Sequence, residues 1–373
     1  MERNTLKPNA DRFLNTDVVI IGGGPAGLAT AIALTDLDIN SIVIESSHYL
    51  DPRLGEHLTP VGVGILKQLG IWDSQFLEKH RLCYGVRSAW GETQVTYSDY
   101  LFHPDGTGVN LSRPTFDRNL ATLADGKGVR LLLSSQLKQA QQEQNGWILS
   151  LDTPKGLQEV RARVVVDASG RKALFARSQG RTSVYCDRLV GIAAFLEPLA
   201  ENHDQEETLL LESGEFGWWY FARLQDNRGV FLHITDADQL ESRKDAPLQT
   251  WSKRLKSTNF FSELAGYYHP VEKVLVRSAR SHCLDQATGH HWLAVGDAAM
   301  SFDPLSSMGI TKALKAGIFS SQVILRVLNG ETTVLKDYEA EIQQQFNEYL
   351  QIRTQYYQIE QRWPSSLFWQ RRH

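Results

Sequence analysis

The chain has 373 residues, of which 42% are hydrophobic, 22% charged and 10% aromatic. At about 150 residues per unit this length predicts two to three structural units, and the composition excludes a disordered, low-complexity or collagen-like chain. The 39 basic and 43 acidic side chains give a formal net charge of −4. No general basic excess therefore points to nucleic acid binding.

The cysteine content and the one long apolar run indicate the cellular setting. Cys83, Cys186 and Cys283 are isolated and odd in number, which predicts neither a disulfide framework nor a metal site and favours a reducing cytoplasm. The apolar run that starts at Asp17 is interrupted by three glycines and a proline directly after Ile21. We therefore expect no targeting segment, no transmembrane helix and no membrane partner.

The N-terminal region predicts a strand, turn and helix that bind a dinucleotide. Residues 18–21 are apolar and β-branched, which favours a buried strand of a parallel sheet, and a helix is expected over 28–37. Between them lies a G-x-G-x-x-G pattern, whose glycines make a tight turn, admit a pyrophosphate and let the helix pack on the strand. Five residues are predicted to contact the cofactor here: Gly22, Gly24, Pro25, Ala26 and Gly27.

A second apolar run, residues 41–44, ends in Glu45, which lies 18 residues after Gly27. An acid at this place accepts hydrogen bonds from the adenosine ribose. A glycine turn in an unrelated α/β protein is the alternative, but here the strand, helix, second strand and terminal acid follow in order. The pattern predicts a dinucleotide and does not choose between NAD and FAD.

The segment from His291 resembles the Gly-Asp signature of flavoprotein monooxygenases. It begins as a buried strand that ends in Gly296-Asp297, and a glycine turn and a helix follow. In that superfamily the aspartate bonds the ribityl chain, and the helix directs its positive end at the flavin pyrimidine. The resemblance implies FAD as the cofactor, with Asp297, Gly309 and Ile310 as contacts.

Two further segments resemble stretches that lie beside the cofactor in flavin halogenases and their relatives. Residues 53–60 are similar to an R-x-G-E-x-x-x-P stretch, and residues 111–120 are similar to a helix start with an arginine and Phe-Asp. The resemblance implies cofactor contact for Arg53 and Arg113. A salt bridge at the surface or at the end of the helix is the alternative for each.

The rest of the chain predicts a hairpin, an antiparallel sheet and C-terminal helices. Residues 147–151 and 159–166 flank a polar turn, and the second arm ends at Asp167-Ala-Ser-Gly170. Hydroxylases that bind NADPH usually carry Asp-Gly in this element. Because Ser169 stands where that aspartate would be and no second G-x-G-x-x-G occurs, a tight nicotinamide site is in doubt.

Four strand-like runs between residues 189 and 235 predict an antiparallel sheet, to which we expect residues 84–98 to contribute. Helices are expected over 236–264 and 334–358. The predicted fold class is α/β: a Rossmann-like FAD-binding domain of the glutathione-reductase/hydroxylase type with an antiparallel-sheet substrate domain and C-terminal helices. The predicted divisions are 16–80, 110–180 and 272–330 for the FAD-binding domain, 81–109 and 181–271 for the substrate domain, and 331–373 for the helical region and tail.

Several motifs together resemble the LodB/GoxB flavoproteins, within the flavin halogenase/geranylgeranyl reductase-like superfamily. They are R-L-G-E-H-L-x-P, S-A-W-G, G-W-W-Y, G-D-A-A-x-x-x-D-P-L-S-S-x-G and a tail close to F-W-x-R-R. The resemblance implies an FAD-dependent monooxygenase that hydroxylates a protein-bound tryptophan during biogenesis of cysteine tryptophylquinone in a partner amino-acid oxidase (a glycine or lysine oxidase). The implied partners are the oxidase precursor, O2 and an external electron donor.

Three alternatives stay open. A tryptophan or indole halogenase would carry W-x-W-x-I-P and a directing lysine, whereas residues 217–223 lack Ile-Pro and Lys79 is a few residues out of place. A flavin-bearing maturation chaperone without turnover is the second alternative. The third, an isoprenoid lipid reductase, would need membrane docking, which an acidic chain without a basic amphipathic helix does not support.

The candidate catalytic residues are His57, as a proton donor or a group that orients the indole, and its neighbour Glu56. A packed or solvent-facing loop histidine is the alternative for His57. Trp218 and Trp219 alternate in direction along a strand, so one should face the flavin side and the other should face into packing. The aromatic and basic tail, residues 363–373, predicts either a docking surface for the partner or a segment pinned onto the protein's own core.

Overall fold

The computed structural model describes residues 13–199, 207–240 and 246–373. The elements up to residue 126 are β1 (Phe13–Ile21), α1 (Pro25–Thr35), β2 (Ser41–Ile44), β3 (His57–Leu58), α2 (Pro60–Gln68), α3 (Ser74–Leu77), β4 (Arg81–Cys83), β5 (Gly85–Ala89), β6 (Thr96–Asp99), β7 (Gly108–Asn110) and α4 (Arg113–Gly126).

The middle of the chain is mostly β-structure. Its elements are β8 (Arg130–Leu132), β9 (Gln136–Glu143), β10 (Gly146–Thr153), β11 (Gly156–Asp167), α5 (Leu174–Ser178), β12 (Ser183–Tyr185), β13 (Leu189–Leu196), β14 (Leu209–Gly214), β15 (Gly217–Arg223) and β16 (Gly229–Asp236).

The C-terminal third alternates short strands with the longest helices. Its elements are α6 (Ala246–Leu255), α7 (Phe260–Leu264), β17 (Leu275–Ser278), β18 (His282–Leu284), β19 (Thr288–Gly289), β20 (Trp292–Ala294), β21 (Met300–Ser301), α8 (Gly309–Leu328), α9 (Val334–Ile359) and α10 (Leu367–Gln370).

The first sheet has a parallel core in the order β20-β11-β1-β2-β8. Residues 18–21 of β1 and all four residues of β2 are buried, as expected for central strands of a parallel sheet that helices cover. The hairpin of β10 and β11 is confirmed, and β9 extends it by a third antiparallel strand. Because the core strands are parallel, the turns that follow β1, β2, β11 and β20 all leave from one edge.

Helix α1 begins at Pro25, three residues earlier than expected, and ends at Thr35. Proline suits the first turn of a helix, where its missing N–H removes no hydrogen bond. Helix α8 packs closely on α1, and a Cβ atom at Gly317 would lie 2.5 Å from the carbonyl oxygen of Ala26. This close approach requires glycine at position 317.

The second large sheet runs in the order β17-β13-β16-β15-β14-β5-β6. It is antiparallel except where β14 pairs with β5. The expected antiparallel sheet is therefore confirmed, including the part formed by residues 84–98. Of the helix expected over 236–264, the structure has α6 and α7, while residues 241–245 lie outside the described part.

Two three-stranded sheets connect the larger layers. One has the order β3-β7-β4 and the other β12-β18-β21. The first joins residues on both sides of the divisions predicted at 80/81 and 109/110, so the two predicted domains share a hydrogen-bonded sheet. The domain boundaries themselves stay a prediction.

The C-terminal helix α9 covers the predicted helical stretch, and the tail folds back onto the second large sheet. Phe368 and Trp369 are completely buried, and the indole N–H of Trp369 donates to the carbonyl oxygen of Gly214 at 2.9 Å. Arg372 forms a buried ion pair with Asp236 at 2.6 Å. Of the two interpretations of the tail, these contacts favour the one in which it is pinned onto the protein's own core.

Among the described residues, no helix is both long and apolar enough to cross a membrane.

Candidate functional site

The turn after β1 adopts the tight geometry that its glycines predict. Gly22 has φ of 111°, a left-handed conformation that favours glycine. A Cβ atom at Gly22 would lie 2.3 Å from the carbonyl oxygen of Ala168, and one at Gly27 would lie 2.0 Å from the carbonyl oxygen of Gly22. Neighbouring backbone leaves no space for a side chain at either position, so the fold itself requires both glycines.

Gly24 differs from its neighbours. A Cβ atom built there would meet no described atom within 4 Å, and its φ of −83° is open to any residue. It stands directly before α1, whose first backbone N–H groups have no partner within the helix. The turn is thus a cradle that a side chain at Gly24 would fill, and Pro25 and Ala26 form the next part of its wall.

Glu45 follows β2 at the same edge of the sheet and is buried. Its Oε2 accepts the backbone N–H of Gly23 at 2.9 Å, and its Oε1 accepts the backbone N–H and the hydroxyl of Ser47. The hydroxyl of Tyr49, a residue that the sequence reasoning missed, donates to the carbonyl oxygen of Gly23. Through these hydrogen bonds Glu45 connects the glycine-rich turn after β1 to the end of β2.

Arg53 and Arg113 meet at the buried carboxylate of Asp117. Arg53 pairs with Asp117 at 2.8 Å and with Glu45 at 3.3 Å. Arg113 pairs with Asp117 at 3.2 Å and donates to the carbonyl oxygen of Leu54 at 2.6 Å. The salt-bridge alternative is thus realised for both arginines, and Arg53 also lies next to the predicted ribose acceptor.

Asp297 lies beyond the end of β20 and faces two cations. Lys312 of α8 lies 3.0 Å from it and Arg171 lies 3.5 Å from it. Burial raises the pKa of Asp297, but Lys312 and Arg171 outweigh it, so its pKa lies below the ordinary value. Lys312, which the sequence reasoning missed, is itself buried and also donates to the carbonyl oxygen of Met300.

The N-terminus of the 20-residue helix α8 lies close to the segment that carries the candidate catalytic residues. Thr311 in its first turn has its hydroxyl oxygen 3.4 Å from that of Thr59, three residues after Glu56. A Cβ atom at Gly309 would meet no described atom within 4 Å. Gly309 and Ile310 thus begin α8 beside residues 56–59, and their contact with the flavin stays a prediction.

His57 lies on β3 and is held on both ring nitrogens. Its Nδ1 donates to Oδ1 of Asn110 at 3.0 Å, and its Nε2 accepts the hydroxyl of Tyr100 at 3.2 Å. Burial lowers the pKa of His57 to about 4, against a smaller opposing effect of Asn110. The ring is therefore neutral at pH 7, which suits an orienting group better than a proton donor.

Glu56 is 1% exposed and suits the role of an acid better than His57, because burial raises the pKa of Glu56 to about 7. Its Oε2 accepts the backbone N–H of Gly55 at 3.2 Å. A carboxyl group with such a pKa carries a proton for much of the time at neutral pH. The pair 56–57 thus combines a protonatable acid with a neutral, fixed imidazole.

Strand β15 forms the wall behind these residues, and its two tryptophans face opposite sides. Trp218 lies edge-on to Trp90 and donates its indole N–H to the hydroxyl of Tyr357 at 3.0 Å, within an apolar cluster that also includes Leu54 and Leu305. Trp219 stacks on His233 and packs with Trp251 and Phe261 beneath α6 and α7. The two tryptophans therefore face opposite sides of the sheet, as strand alternation predicts, and both are buried. That one of them faces the flavin stays a prediction.

The predicted contacts gather at one edge of the parallel sheet, and they fit a dinucleotide with a flavin. The cradle at Gly24 suits a pyrophosphate, Glu45 suits a ribose, and Asp297 with the start of α8 suits the ribityl and pyrimidine ends. Such an arrangement defines an FAD-dependent oxidoreductase with a Rossmann-like domain.

The chain belongs to the FAD binding domain family, whose model matches residues 15–351. LodB of Marinomonas mediterranea, named as an FAD-dependent oxidoreductase, is 31% identical over 364 residues, which cover 96% of each chain. The predicted α/β fold class, FAD cofactor, enzyme class and LodB-like family are thereby confirmed.

Solved structures show the same fold over nearly the whole chain. The myxobacterial chondrochloren halogenase CndH matches with a TM-score of 0.87 and 22% identity over 96% of this chain and 86% of its own. The peptidyl tryptophan dihydroxylase QhpG, essential for tryptophylquinone cofactor biogenesis, matches with a TM-score of 0.76 and 24% identity over 96% of this chain and 78% of its own.

Proposed function

We propose that this protein is an FAD-dependent monooxygenase that hydroxylates a tryptophan of a protein substrate. The substrate is the precursor of an amino-acid oxidase, for glycine or lysine, whose cofactor is cysteine tryptophylquinone. The observation that carries the proposal is the end-to-end likeness to LodB, at 31% identity, joined to the fold of QhpG, a peptidyl tryptophan dihydroxylase.

The predicted site residues take their proposed roles from where they lie. Gly22, Gly24, Pro25, Ala26 and Gly27 hold the pyrophosphate, while Glu45 with Arg53 holds the ribose. Asp297, Gly309 and Ile310 hold the flavin end, and Arg113 fixes the backbone before Glu56. Bound FAD, once reduced, supplies an electrophilic oxygen atom from O2, and the protein supplies orientation and protons.

A halogenase is the second candidate function because halogenases share the fold. Two local features disfavour this function. Lys79, the nearest candidate for a directing lysine, is exposed to solvent, and β15 carries two adjacent tryptophans where a halogenase carries W-x-W-x-I-P. A chaperone without turnover is the other alternative, and only an activity measurement separates it from a monooxygenase.

The proposal is tested by mass spectrometry of a co-expressed oxidase precursor. We expect the precursor tryptophan to gain one or two oxygen atoms in the presence of the wild-type protein and none with a variant that lacks FAD. Oxygen gain that persists without FAD would contradict the monooxygenase function. A bromine or chlorine gain in the presence of halide would favour the halogenase.

Free tryptophan should be a poor substrate, since a site for a protein-borne indole draws binding energy from the surrounding protein surface and uses it for orientation.

Reduction by free NADPH should be slow and poorly saturable, because only one dinucleotide motif is present and Ser169 replaces the expected aspartate. The electrons then come from a separate donor.

We place the reaction in the cytoplasm, where Cys83, Cys186 and Cys283 stay as thiols.

A further inference from the structure

Two polar atoms in the candidate site are buried without a hydrogen-bond partner among the described residues. They are Oε1 of Glu56 and the hydroxyl oxygen of Tyr220, the last residue of the G-W-W-Y segment. Glu56 is 1% exposed and Tyr220 is 7% exposed. An unpaired buried polar atom costs on the order of 1–3 kcal/mol, so two of them in one place call for a functional reason.

The two side chains belong to layers that pack on each other. Glu56 immediately precedes β3, and Tyr220 lies on β15 of the second large sheet. Asn110 of β7, which binds the ring of His57, also donates its side-chain N–H to the carbonyl oxygen of Arg223 at the end of β15. This hydrogen bond holds the small sheet against β15 and keeps Glu56 and Tyr220 at the same junction.

The junction adjoins the segments assigned to the flavin end. Tyr220 packs in one apolar cluster with Trp218, Leu54 and Leu305. Leu54 belongs to the loop that Arg113 fixes, and Leu305 lies in the turn before α8. Tyr220 thus shares an apolar cluster with a residue two positions before Glu56 and with a residue four positions before α8.

The charged and titratable groups that face the pair favour a protonated carboxyl. Burial raises the pKa of Glu56 to about 7, and Arg113 on α4 opposes this only in part. Burial, and then the charges of Glu56 and of Cys83 on β4, hold the pKa of Tyr220 well above its ordinary value, while the nearby backbone N–H of His57 opposes this rise. His57 is neutral and already bonded on both nitrogens, so it does not compete for the proton.

We propose that Glu56 and Tyr220 form a proton-delivery pair, in which the carboxyl of Glu56 holds a proton and the hydroxyl of Tyr220 passes it to the reacting oxygen. The inference rests on the proposed hydroxylation and adds Tyr220 as a residue that the sequence reasoning did not select. Neither atom bonds the other in this structure; catalytic hydrogen bonds often close only in the substrate complex.

The proton balance of hydroxylation explains the need for such a pair. One O2, two electrons from the external donor and two protons convert the indole C–H into C–OH and one water. The ring carbon gains a C–O bond and releases its proton, while the second oxygen atom leaves as water and takes up a proton. Glu56 supplies that proton through Tyr220 and regains one from the ring carbon, so the pair ends each turnover unchanged.

The test compares Glu56→Gln and Tyr220→Phe with a matched variant, Tyr338→Phe. Tyr338 is also buried, but its hydroxyl donates to the carbonyl oxygen of Ala294 at 2.8 Å. The rate of precursor hydroxylation is measured against pH with enzyme reduced chemically beforehand, which removes the electron donor from the comparison. The melting temperature of the apo protein is the second readout.

Wild-type activity should fall as pH rises through about 7, because the acid must be protonated. Glu56→Gln should lose on the order of 100-fold in rate together with this pH dependence. Tyr220→Phe should lose about tenfold with an unchanged midpoint, and its melting temperature should be equal or higher, since an unpaired hydroxyl is removed. Tyr338→Phe should instead lower the melting temperature and keep the wild-type pH profile.

A wild-type rate in Tyr220→Phe, or a falling limb near pH 7 that persists in Glu56→Gln, would overturn the pair. If no hydroxylation occurs even with wild-type protein, the proposed function fails separately. The pair is then judged on the apo protein by carbon-13 NMR of labelled glutamate. A midpoint for Glu56 near 7 would support it, and an ordinary glutamate midpoint would refute it.

Discussion

The turn that carries Gly24 and the junction that carries Glu56 are both parts of the candidate site, but they differ in whether their buried polar groups have hydrogen-bond partners. Around the turn, both carboxylate oxygens of Glu45 are bonded, and Asp117 is shared by two arginines. At the junction, Glu56 and Tyr220 each keep an unpartnered polar atom among the described residues.

The difference separates residues that build a binding surface from residues that are left available for chemistry. A satisfied network is rigid and fixes the shape into which a cofactor fits. Unpaired buried groups cost stability, so two of them at one junction of the candidate site call for a functional reason. Four sets of variants test this difference.

The largest effect should come from Gly24→Val, compared with Gly27→Val. A side chain at Gly24 meets only open space in the protein, so the variant should fold but lose at least about 100-fold in FAD affinity because it fills the pyrophosphate cradle. A side chain at Gly27 collides with the backbone of Gly22, so that variant should not fold. Absorbance of bound flavin and the melting temperature distinguish the two. Normal FAD content in Gly24→Val would refute the assignment of the motif.

The tail should contribute mainly to stability. Trp369→Ala removes a completely buried indole and its hydrogen bond to Gly214, which should cost about 3–5 kcal/mol. Leu367→Ala, at a neighbouring position that is 50% exposed, is the control and should change little. Deleting residues 363–373 should lower stability and flavin content together. A truncated protein that keeps its melting temperature but no longer associates with the precursor would restore the docking interpretation.

Glu56→Gln should change stability in a pH-dependent way. Burial raises the pKa of Glu56 from 4.5 in the unfolded chain to about 7 in the folded protein. Ionisation of Glu56 therefore lowers the free energy of unfolding of the wild type as the pH rises above 4.5, and this loss reaches its full size above pH 7. The glutamine variant should therefore be more stable than wild type by about 3 kcal/mol at pH 8 and nearly equal at pH 4.

Urea unfolding at both pH values measures this difference, and Glu78→Gln, at an exposed position, serves as the control. Equal stability gains at pH 4 and pH 8 would show that packing, and not ionisation, is responsible.

The smallest effect concerns Lys312. Among the described residues, Lys312→Met should leave Asp297 with the more distant Arg171 as its ion-pair partner and weaken FAD binding about tenfold, or about 1.4 kcal/mol. Lys315→Met, three residues further along α8 and exposed, should leave the affinity unchanged. Titration of the apo proteins with FAD gives both values. Equal affinities would mean that Lys312 supports the protein backbone at Met300 and not Asp297.

Much of the cofactor-binding half could be predicted from the sequence because its signals are local. The conformation of Gly22 and the close contact at Gly27 require glycine whatever surrounds them, and alternating or continuous apolar runs predict strands from the chemistry of a few neighbouring residues. The same reasoning placed Glu45 and Asp297 at strand ends. Helix α1 begins three residues before the predicted Leu28, because Pro25 suits the first turn of a helix, where its missing N–H removes no hydrogen bond.

The tertiary structure alone decided which side chains meet. Asp117 belongs to the Phe-Asp segment and Lys312 to no motif, and neither stretch of sequence identifies its partner: the fold brings Asp117 to Arg53, which is 64 residues away, and brings Lys312 to Asp297. Strand alternation predicted that Trp218 and Trp219 face opposite sides but not which side each takes. Burial of the tail and the unpaired hydroxyl of Tyr220 likewise depend on how β15 packs against distant segments, since burial and hydrogen-bond satisfaction are properties of contacts between elements and not of any one stretch of sequence.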